Sequence, residues 1–394
     1  MKFQVERDVF AEAVAWAART LPQRPPVPVL AGLLLEAGTA GGALSLSSFD
    51  YEVSANAEIE VTVAEPGRVL VSGRLLAEIS RSLPAQPVDV TVDGARVVLS
   101  CGSARFTLPT LPVDDYPTLP DMPSTAGTIG ADVFATAVSQ VAVAAGRDDT
   151  LPVLTGVRIE IEDDRVTLAA TDRYRLAVRE LRWQPERAGM SAVALVPART
   201  LADTAKALTG GAQVSVALST GDDAGAGQGL IGFAGKGAAG QHGERRTTTR
   251  LLDGEYVKYR SLLPDSCAAF AQVETSSFVE AVKRVSLVAP RNTPVRLTFT
   301  ADQVLLEAGA GEDAQASESL DALFESNDAP VEDFSIAFNP AYLLDGLGAV
   351  DAETTRLEFT TPTKPAILRG GKESESAAPG NDYRYLLMPV RLSG

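Results

Sequence analysis

The residues that could carry out chemistry are few and scattered along this chain of 394 residues. There is one histidine, His242, and there are two cysteines, Cys101 and Cys267. They form neither a Cys–His nor a Ser–His–Asp arrangement for nucleophilic catalysis, and they provide no His/Cys metal cluster. An acidic pair such as Asp148/Asp149 could transfer protons, but it stands beside Arg147 in a segment typical of a solvated turn. We therefore expect a protein that is not an enzyme and binds no metal or other cofactor.

Phosphate-binding loops are also missing. The glycine-rich stretch has the GxGxxG spacing of a dinucleotide site at Gly227–Gly232, but the residues after it do not predict the phosphate-binding helix that such a site requires. No GxxxxGK[ST] motif occurs, which excludes P-loop chemistry. We interpret Gly221–Gly243 as a long solvated hairpin loop, and Lys372–Asp382 as a second polar loop.

The charge of the chain restricts its partners. It has 35 Lys and Arg against 51 Asp and Glu, a net charge of −16, so the molecule as a whole should repel nucleic acid. An ordinary high-affinity DNA-binding domain is therefore disfavoured. The hydrophobic fraction of 45% is that of a globular protein, and no apolar run is long enough to cross a membrane. Met1–Arg7 has no export signal, and with so few cysteines we expect a cytoplasmic protein.

One pattern, an apolar strand followed by a short amphipathic helix, occurs three times. It covers Val5–Val14, Ile129–Val138 and Val273–Val282, and each copy places a Phe, an Ala and a Val on one helical face. An arginine follows each copy after a similar interval, at Arg24, Arg147 and Arg291. Such a register is rare by chance, so we infer an internal repeat.

A second helix and a set of strands follow in each copy. The helix begins at Ser72, near Pro197 and near Pro340, residue types that favour a helix start. Alternating runs such as Val157–Ile161 and Val166–Ala170 predict antiparallel strands. The fold class is therefore α+β, with three repeated domains of two helices packed on antiparallel sheets. The predicted domains are 1–125, 126–266 and 267–394.

The start of the third copy adds a local prediction. Ser277 and Glu280 have the spacing of a capping box, so we expect Ser277 to cap the helix that follows.

Basic residues recur on or beside the repeated helices. Any single one is explained by the helix dipole or by a solvated face. Their recurrence favours a basic surface that could face phosphates although the chain as a whole is acidic. These residues are Arg7, Arg19, Arg74, Arg81, Arg199, Lys206, Lys283 and Arg284.

Two motifs break the repeat. Thr171–Ala177 occurs only in the middle copy, where the first copy has Phe49–Val53. The chain end, Tyr385–Leu392, is an apolar run that predicts a buried final strand. Its Met388 and Pro389 also suit an adaptable groove for peptides, because methionine surfaces repack around varied partners.

Together these features resemble the family of the β subunit of bacterial DNA polymerase III, the sliding clamps. The likeness covers the whole chain and rests on five segments. They are Met1–Phe3, Arg24–Leu30, Thr171–Ala177, Leu252–Pro264 and Met388–Leu392. The resemblance implies three clamp-type domains per chain and a head-to-tail homodimer that closes into a ring around duplex DNA. It also implies a non-enzymatic processivity factor that tethers the replicative polymerase, the clamp loader and repair proteins by their Leu/Phe-rich peptides.

The resemblance further implies residue roles. The DNA-facing residues would be Arg24, Arg74, Arg147, Arg199 and Arg291. The dimer interface would bring Arg105 and Phe106 against Leu287 and Glu318. A peptide groove between the second and third domains would be formed by Leu154, Thr171, Arg175, Leu176, Leu262, Asn339, Tyr342, Pro362, Leu386, Leu387, Met388, Pro389, Val390 and Arg391. Where the family commonly has Gly-His this chain has Arg173-Tyr174, so we expect a different groove rim and a different peptide preference.

Three alternatives stay open on the sequence. A paralogous clamp could have a protective or drug-tolerance role, and a test of rescue after loss of the essential clamp would separate it from a replicative clamp. An enzyme whose site escapes these motifs is the second alternative. A monomeric interaction scaffold is the third, and the native mass would identify it.

Overall fold

The chain divides into two compact units in a computed structural model. The described residues are 1–38, 42–219, 229–237, 243–289, 293–309, 314–326, 334–371 and 382–391. One unit comprises Met1–Ala135, Trp183–Gly189 and Thr200–Leu251, and the other comprises Thr136–Arg182, Met190–Arg199 and Leu252–Gly394. Each unit is built on one continuous sheet. Because the units follow these sheets, the boundaries of the three repeated domains stay a prediction.

Six α-helices form in the described residues, two for each predicted repeat. They are α1 (Arg7–Ala17), α2 (Gly73–Ser82), α3 (Ala131–Ala142), α4 (Ala198–Ala207), α5 (Thr275–Val285) and α6 (Pro340–Ala349). All six lie in the segments where the repeated helix patterns predict them, although α5 begins before the predicted cap, and their presence confirms the α+β class. None of these helices is long and apolar enough to cross a membrane.

The first unit contains a 14-stranded antiparallel sheet. Numbered along the chain, its strands are β1 (Lys2–Val5), β2 (Gly32–Ala37), β3 (Ala43–Phe49), β4 (Val53–Glu60), β5 (Thr62–Glu65), β6 (Gly67–Ser72), β7 (Val88–Asp93), β8 (Arg96–Cys101), β9 (Ala104–Leu111), β10 (Thr125–Gly130), β14 (Gln184–Pro185), β16 (Gln213–Leu218), β17 (Leu230–Lys236) and β18 (Glu244–Arg250). The order across the sheet is β14-β10-β16-β17-β18-β4-β3-β2-β6-β9-β8-β7-β1-β5. The β18–β4 pair joins two of the predicted repeats in one sheet.

The core of this unit lies between the helices and one face of the sheet. Phe10 and Val14 of α1 are buried with Leu33, Leu44 and Leu46 from the strands. This packing follows from two periods, because helix residues four apart and strand residues two apart share a face.

The second unit contains a 12-stranded antiparallel sheet. Its strands are β11 (Gly156–Glu162), β12 (Arg165–Thr171), β13 (Arg175–Arg182), β15 (Ser191–Pro197), β19 (Ala269–Glu274), β20 (Val295–Phe299), β21 (Gln303–Ala308), β22 (Ala316–Ser326), β23 (Phe334–Phe338), β24 (Thr354–Phe359), β25 (Ala366–Gly370) and β26 (Tyr383–Leu387). The order is β15-β11-β12-β13-β26-β25-β24-β19-β22-β21-β20-β23. The predicted buried final strand, Tyr385–Leu392, is confirmed only at its start: β26 ends at Leu387 and pairs with β13 of the middle repeat, whereas Met388–Arg391 are not part of a strand and Leu392 lies outside the described residues.

The start of α5 differs from the sequence prediction. The carboxylate of Glu274 caps this helix and accepts from the backbone N–H groups of Ser276 (3.2 Å) and Ser277 (2.7 Å). The side chains of Ser277 and Ser276, together with these backbone N–H groups, lower the pKa of Glu274 to about 2. The predicted capping box of Ser277 and Glu280 is therefore wrong, because the helix begins earlier, and Glu280 pairs instead with Lys283 at 2.8 Å.

The predicted loop Gly221–Gly243 is also partly wrong. Its residues Leu230–Lys236 form β17, an interior strand between β16 and β18 with Ile231 and Phe233 buried. The glycines that suggested a loop have a packing reason here, since a Cβ on Gly232 would stand 3.0 Å from the Met122 side chain. Of the other residues of the predicted loop, Gly229, Gly237 and Gly243 are described, and the rest, His242 included, lie outside the described residues.

Candidate functional site

The turn between β12 and β13 positions the most structured part of the site. Oδ1 of Asp172 accepts from the backbone N–H groups of Tyr174 (3.0 Å) and Arg175 (3.1 Å). The Thr171 hydroxyl donates to the carbonyl of Arg175 at 2.6 Å. Arg173 has a φ of +81°, in the left-handed region that favours glycine. The turn is thus fixed by its own side chains, and it leaves Tyr174 exposed and Arg175 buried at the start of a strand.

Arg175 is a buried charge with a full set of partners. Its side chain, only 5% exposed, donates to Asp172 (2.9 Å), Asp345 (2.5 Å) and the Tyr385 hydroxyl (3.3 Å). The guanidinium carbon also lies 4.5 Å from the ring centroid of Tyr342. Burial acts to lower the pKa of Arg175, but Tyr385 and the two carboxylates more than compensate, and the net change is upward. The cation is therefore a fixed link between the turn, α6 and β26.

A cleft of about 540 Å³ opens beside this cluster, and we name it the rim cleft. It brings together the segment after α3, the β12–β13 turn and the first two turns of α6. Its lining residues are Ala145, Gly146, Arg147, Asp148, Leu151, Leu154, Asp172, Arg173, Tyr174, Arg175, Ala341, Tyr342 and Asp345. The ring of Tyr174 stacks on that of Tyr342 with centroids 6.0 Å apart, so two aromatic rings form one wall.

The opposite face of β13 carries an apolar cluster, which we name the Leu176 cluster. Successive strand residues point to opposite faces, so Leu176 lies away from Arg175. Leu176 pairs with Leu386 of β26 in the sheet register, and both are buried. The cluster consists of Ala169, Leu176, Val178, Leu195, Tyr256, Tyr259 and Leu386, with Val153, Leu252 and Leu263 packed against it.

Exposed apolar residues continue the same region of the second unit. Tyr174 is 54% exposed and Leu262 is 50% exposed. Met388 and Val390 of the chain end are also exposed, and the Met388 N–H donates to the Tyr174 carbonyl at 2.9 Å. The exposed side chains of Tyr174 and Met388, brought together by this bond, provide apolar surface of the kind found at interaction sites.

The structure separates the predicted peptide-binding residues into three groups. Leu154, Arg175 and Tyr342 line the rim cleft. Leu176 and Leu386 belong to the Leu176 cluster, and Thr171 and Leu387 are buried beside them in β12 and β26. The remaining residues lie nearer the surface, and they are Leu262, Asn339, Pro362, Met388, Pro389, Val390 and Arg391. Asn339 has a second task, because its side chain accepts from the N–H groups of Ala341 (2.9 Å) and Tyr342 (3.3 Å) and caps α6.

Sequence reasoning missed several residues of this site. Asp345 was not recognised, although it stands three positions after Tyr342 and so shares a face of α6 with it. Tyr385 was assigned only to an apolar strand, yet its hydroxyl accepts from Arg175 and donates to the Tyr342 carbonyl at 2.8 Å. Burial of the phenol raises the pKa of Tyr385, which keeps it a hydrogen-bond donor. Nothing in the sequence around Leu151 indicated that this residue would line the cleft.

The predicted DNA-facing arginines are exposed wherever they are described. Arg24 lies between two 3₁₀ turns, and Arg74 and Arg199 lie in the first turns of α2 and α4. Arg147 lines the rim cleft, and Arg291 lies outside the described residues. Within the described chain, the ion pairs of 4.0 Å or less include none of Arg24, Arg74, Arg147 and Arg199.

The predicted dimer residues lie at two strand edges. Arg105 is exposed on β9, and Phe106 packs partly against the core of its unit. Leu287, in the 3₁₀ turn after α5, is 84% exposed. Glu318 of β22 accepts from Arg284 of α5 at 2.6 Å. In the described structure, the β9 segment around Phe106 pairs only with β8, and the β22 segment around Glu318 pairs only with β21.

In the part of the chain that the structure describes, no three His, Cys, Asp or Glu side chains are grouped so that they could hold a metal ion.

Comparison with known proteins places these features in a family. Profiles described as DNA polymerase III beta subunit match the chain in three consecutive parts, with the N-terminal domain at residues 1–120, the central domain at 128–258 and the C-terminal domain at 260–391. The chain is 62% identical over 394 residues to the beta sliding clamp of Streptomyces coelicolor, covering 100% of both. It is 46% identical over 391 residues to the beta sliding clamp homolog GriR of Streptomyces muensis, covering 99% of each. The crystal structure of the Pseudomonas aeruginosa sliding clamp bound to griselimycin matches with a TM-score of 0.86 and 25% identity over 100% of both chains.

Proposed function

The chain belongs to the DNA polymerase III β subunit family, and from this premise we propose how it works as a sliding clamp, the non-catalytic processivity factor of that polymerase. Two chains form a ring around duplex DNA, and partner proteins attach to the ring by short peptides. The observation that carries the proposal is the rim cleft, in which the apolar side chains of Leu151, Leu154, Tyr174 and Tyr342 lie among charged groups, on a strand whose other face packs the Leu176 cluster. As a chromosomal replication factor, the protein is proposed to act in the cytoplasm.

The ring is proposed to close through the two open strand edges. An unpaired strand edge presents free N–H and C=O groups, and a matching edge of a second chain satisfies them. We propose that β9, with Arg105 and Phe106, meets β22 and the end of α5, with Leu287 and Glu318, of a second protomer. The high exposure of Leu287 supports this, since a large apolar side chain so exposed gains by burial in an interface.

The native mass tests the dimer. We expect Leu287→Glu to convert the dimer to monomer in sedimentation velocity, because a dimer would then bury an unpaired charge. Val193→Glu is the matched control, as Val193 is also an exposed apolar residue of the second unit. A Leu287→Glu variant that sediments as the unaltered dimer would show that the interface lies elsewhere.

The DNA contact is proposed to be weak and independent of sequence. Arg24, Arg74 and Arg199 are exposed and free of ion pairs among the described residues, so they can approach phosphates while the acidic remainder prevents tight binding. Arg147 and Arg291 stay predicted members of this set. A ring needs only such weak contacts with DNA, because its attachment to DNA is topological.

Retention on DNA tests this part. The protein loaded on nicked circular DNA should stay bound in gel filtration and leave after linearisation. Replacing Arg24, Arg74 and Arg199 by alanine should shorten retention at low salt without changing the native mass. Retention on linear DNA with open ends would contradict topological binding.

The peptide site is tested by calorimetric titration of a Leu/Phe-rich peptide. Exposed residues are the sharper probes, so Tyr174→Ala and Met388→Ala should each weaken binding while the fold is retained. Val193→Ala, at a residue that does not line the rim cleft, should bind like the unaltered protein. Unchanged affinity in both site variants would refute the groove.

The paralogous clamp with a protective role is the second candidate. The chain shares more identity with the Streptomyces coelicolor clamp, at 62%, than with the GriR homolog, at 46%, and this favours the replicative role. Rescue of a cell depleted of its own clamp would support the replicative role, and failure of a folded, dimeric protein to rescue would favour the paralogue.

A further inference from the structure

The carboxylates of the rim cleft are already engaged. Asp148 accepts from the Thr150 N–H (3.0 Å) and hydroxyl (2.7 Å), and these two bonds lower the pKa of Asp148. Asp172 and Asp345 both bind Arg175. An incoming ligand therefore finds no cleft carboxylate whose hydrogen-bonding capacity is wholly free.

Two of the three cleft arginines, in contrast to the engaged carboxylates, have no close partner of opposite charge in the described chain. Arg147 and Arg173 are exposed, and within the described chain neither has a carboxylate within 4.0 Å of its guanidinium. Asp148 interacts with Arg173 only at longer range. Formal charges in the lining balance, yet the charges that a ligand can reach are positive.

Arg173 owes its position to a strained turn. A φ of +81° is unfavourable for residues other than glycine, and the hydrogen bonds of Asp172 and Thr171 maintain it here. The adjacent Tyr174, with Leu151 and Leu154, makes the neighbouring surface apolar. An arginine beside apolar surface suits a peptide that has both an apolar anchor and a carboxylate.

We propose that Arg173, assisted by Arg147, is a specificity-determining residue that selects partner peptides with an acidic residue flanking their apolar anchors. This proposal rests on the peptide-binding function proposed above and defines the chemistry of the partner. The selectivity comes from exposed charges, so it is modest and is screened by salt.

Two synthetic peptides test the proposal. Both are Leu/Phe-rich, and they differ only in carrying Asp or Asn on each side of the apolar residues. Fluorescence anisotropy at low salt should give an affinity about two- to fivefold higher for the Asp peptide, the range expected for one or two exposed ion pairs. The preference should shrink at high salt.

Variants of the full chain assign the effect to residues. Arg173→Gly suits the positive φ and removes the charge without threatening the fold, so it should reduce the preference for Asp while leaving the Asn peptide nearly unaffected. Adding Arg147→Ala should abolish the remainder. Arg296→Ala is the matched control, since Arg296 is an exposed arginine of the same unit outside the cleft lining.

Each outcome bears on a definite claim. Equal affinities of the two peptides for the unaltered protein would overturn the role of Arg173. A preference for Asp that persists in the double variant would do the same. If neither peptide binds, the peptide groove itself fails, and this inference fails with it.

Discussion

The β3–β4 turn of one unit and the β12–β13 turn of the other have the same backbone conformation and differ in the side chains that follow them. Oδ1 of Asp50 accepts from the N–H groups two and three residues later at 2.9 and 2.7 Å, and Asp172 does so at 3.0 and 3.1 Å. The next residue has a positive φ in both, 76° at Tyr51 and 81° at Arg173. The internal repeat therefore extends to the conformation of a single turn.

The side chains that follow these turns make the difference. The first turn is followed by Val53 and Ser54, and the second by Arg175 and Leu176. Arg175 ties its turn to α6, and Leu176 forms part of an apolar cluster on the other face of the strand. Two side chains thus distinguish the candidate site of the middle copy from the equivalent turn of the first copy, as expected when function resides in side chains carried by a shared fold.

Removing the charge at the second turn should have the largest effect. Arg175→Ala leaves Asp172 and Asp345 without their cation, and we expect a loss of about 3–5 kcal/mol in the free energy of unfolding. Val53→Ala, at the equivalent position, should lose only about 1 kcal/mol. Urea unfolding monitored by fluorescence measures both. Similar losses at the two sites would mean that the Arg175 cluster is not a stabilising link.

The apolar contrast is tested next. Leu176→Ala opens a cavity in the Leu176 cluster and should lose about 2–4 kcal/mol, with weaker peptide binding as a consequence. Ser54→Ala at the equivalent position should change stability by less than about 1 kcal/mol. The sequence-based expectation makes Leu176 one of the residues that form the peptide groove, and the structure adds that this residue is only 1% exposed. A Leu176→Ala protein of unaltered stability would contradict the packing.

Substitutions by glycine and valine test the backbone conformation that the two turns have in common. Arg173→Gly and Tyr51→Gly should each shift stability by less than about 1 kcal/mol, because relief of the positive φ offsets the greater freedom of the unfolded chain. Arg173→Val should be destabilising by about 1–2 kcal/mol, since a β-branched side chain tolerates this conformation poorly. Thermal unfolding compares the three variants, and a neutral valine variant would refute the strained turn.

The smallest expected effect is on the stability of the protein at acidic pH. Glu160 of β11 accepts from Arg158 (2.6 Å), Arg260 (2.6 Å) and the Tyr259 hydroxyl (2.8 Å). Burial acts to raise the pKa of Glu160, but these bonds lower it below the ordinary value of 4.5. The stabilisation is therefore complete above pH 4.5 and is lost as the pH falls through the lower folded pKa.

Glu160→Gln should accordingly flatten the loss of stability below pH 4.5 in urea midpoints measured across pH. Glu36→Gln is the control from the first unit. Glu36 and Glu160 occupy equivalent positions, each four residues after the glycine that opens its strand, β2 or β11, but Glu36 is exposed. Parallel pH profiles for the Glu160→Gln and the unaltered protein would refute the network.

Local signals account for what could be predicted. The six helices follow from the spacing of Phe, Ala and Val and from helix-start residues, and these act within a few positions of the chain. β17 was missed because its glycines permit close packing that only the neighbouring strands and Met122 reveal. The cap of α5 was missed because the helix starts earlier than the serine pattern indicates.

The sequence by itself determined the repeat, the α+β class, the family resemblance and the residue types available to a binding site, because each of these is a property of residue order and spacing. The tertiary structure alone decided which charges a partner can reach. Arg175 pairs with Asp172 three positions earlier and also with Asp345, which is 170 positions away and meets it only in the folded chain, while Arg173 two residues earlier stays exposed. Burial and pairing set the availability of a charge, and both depend on residues that folding brings together from distant parts of the chain.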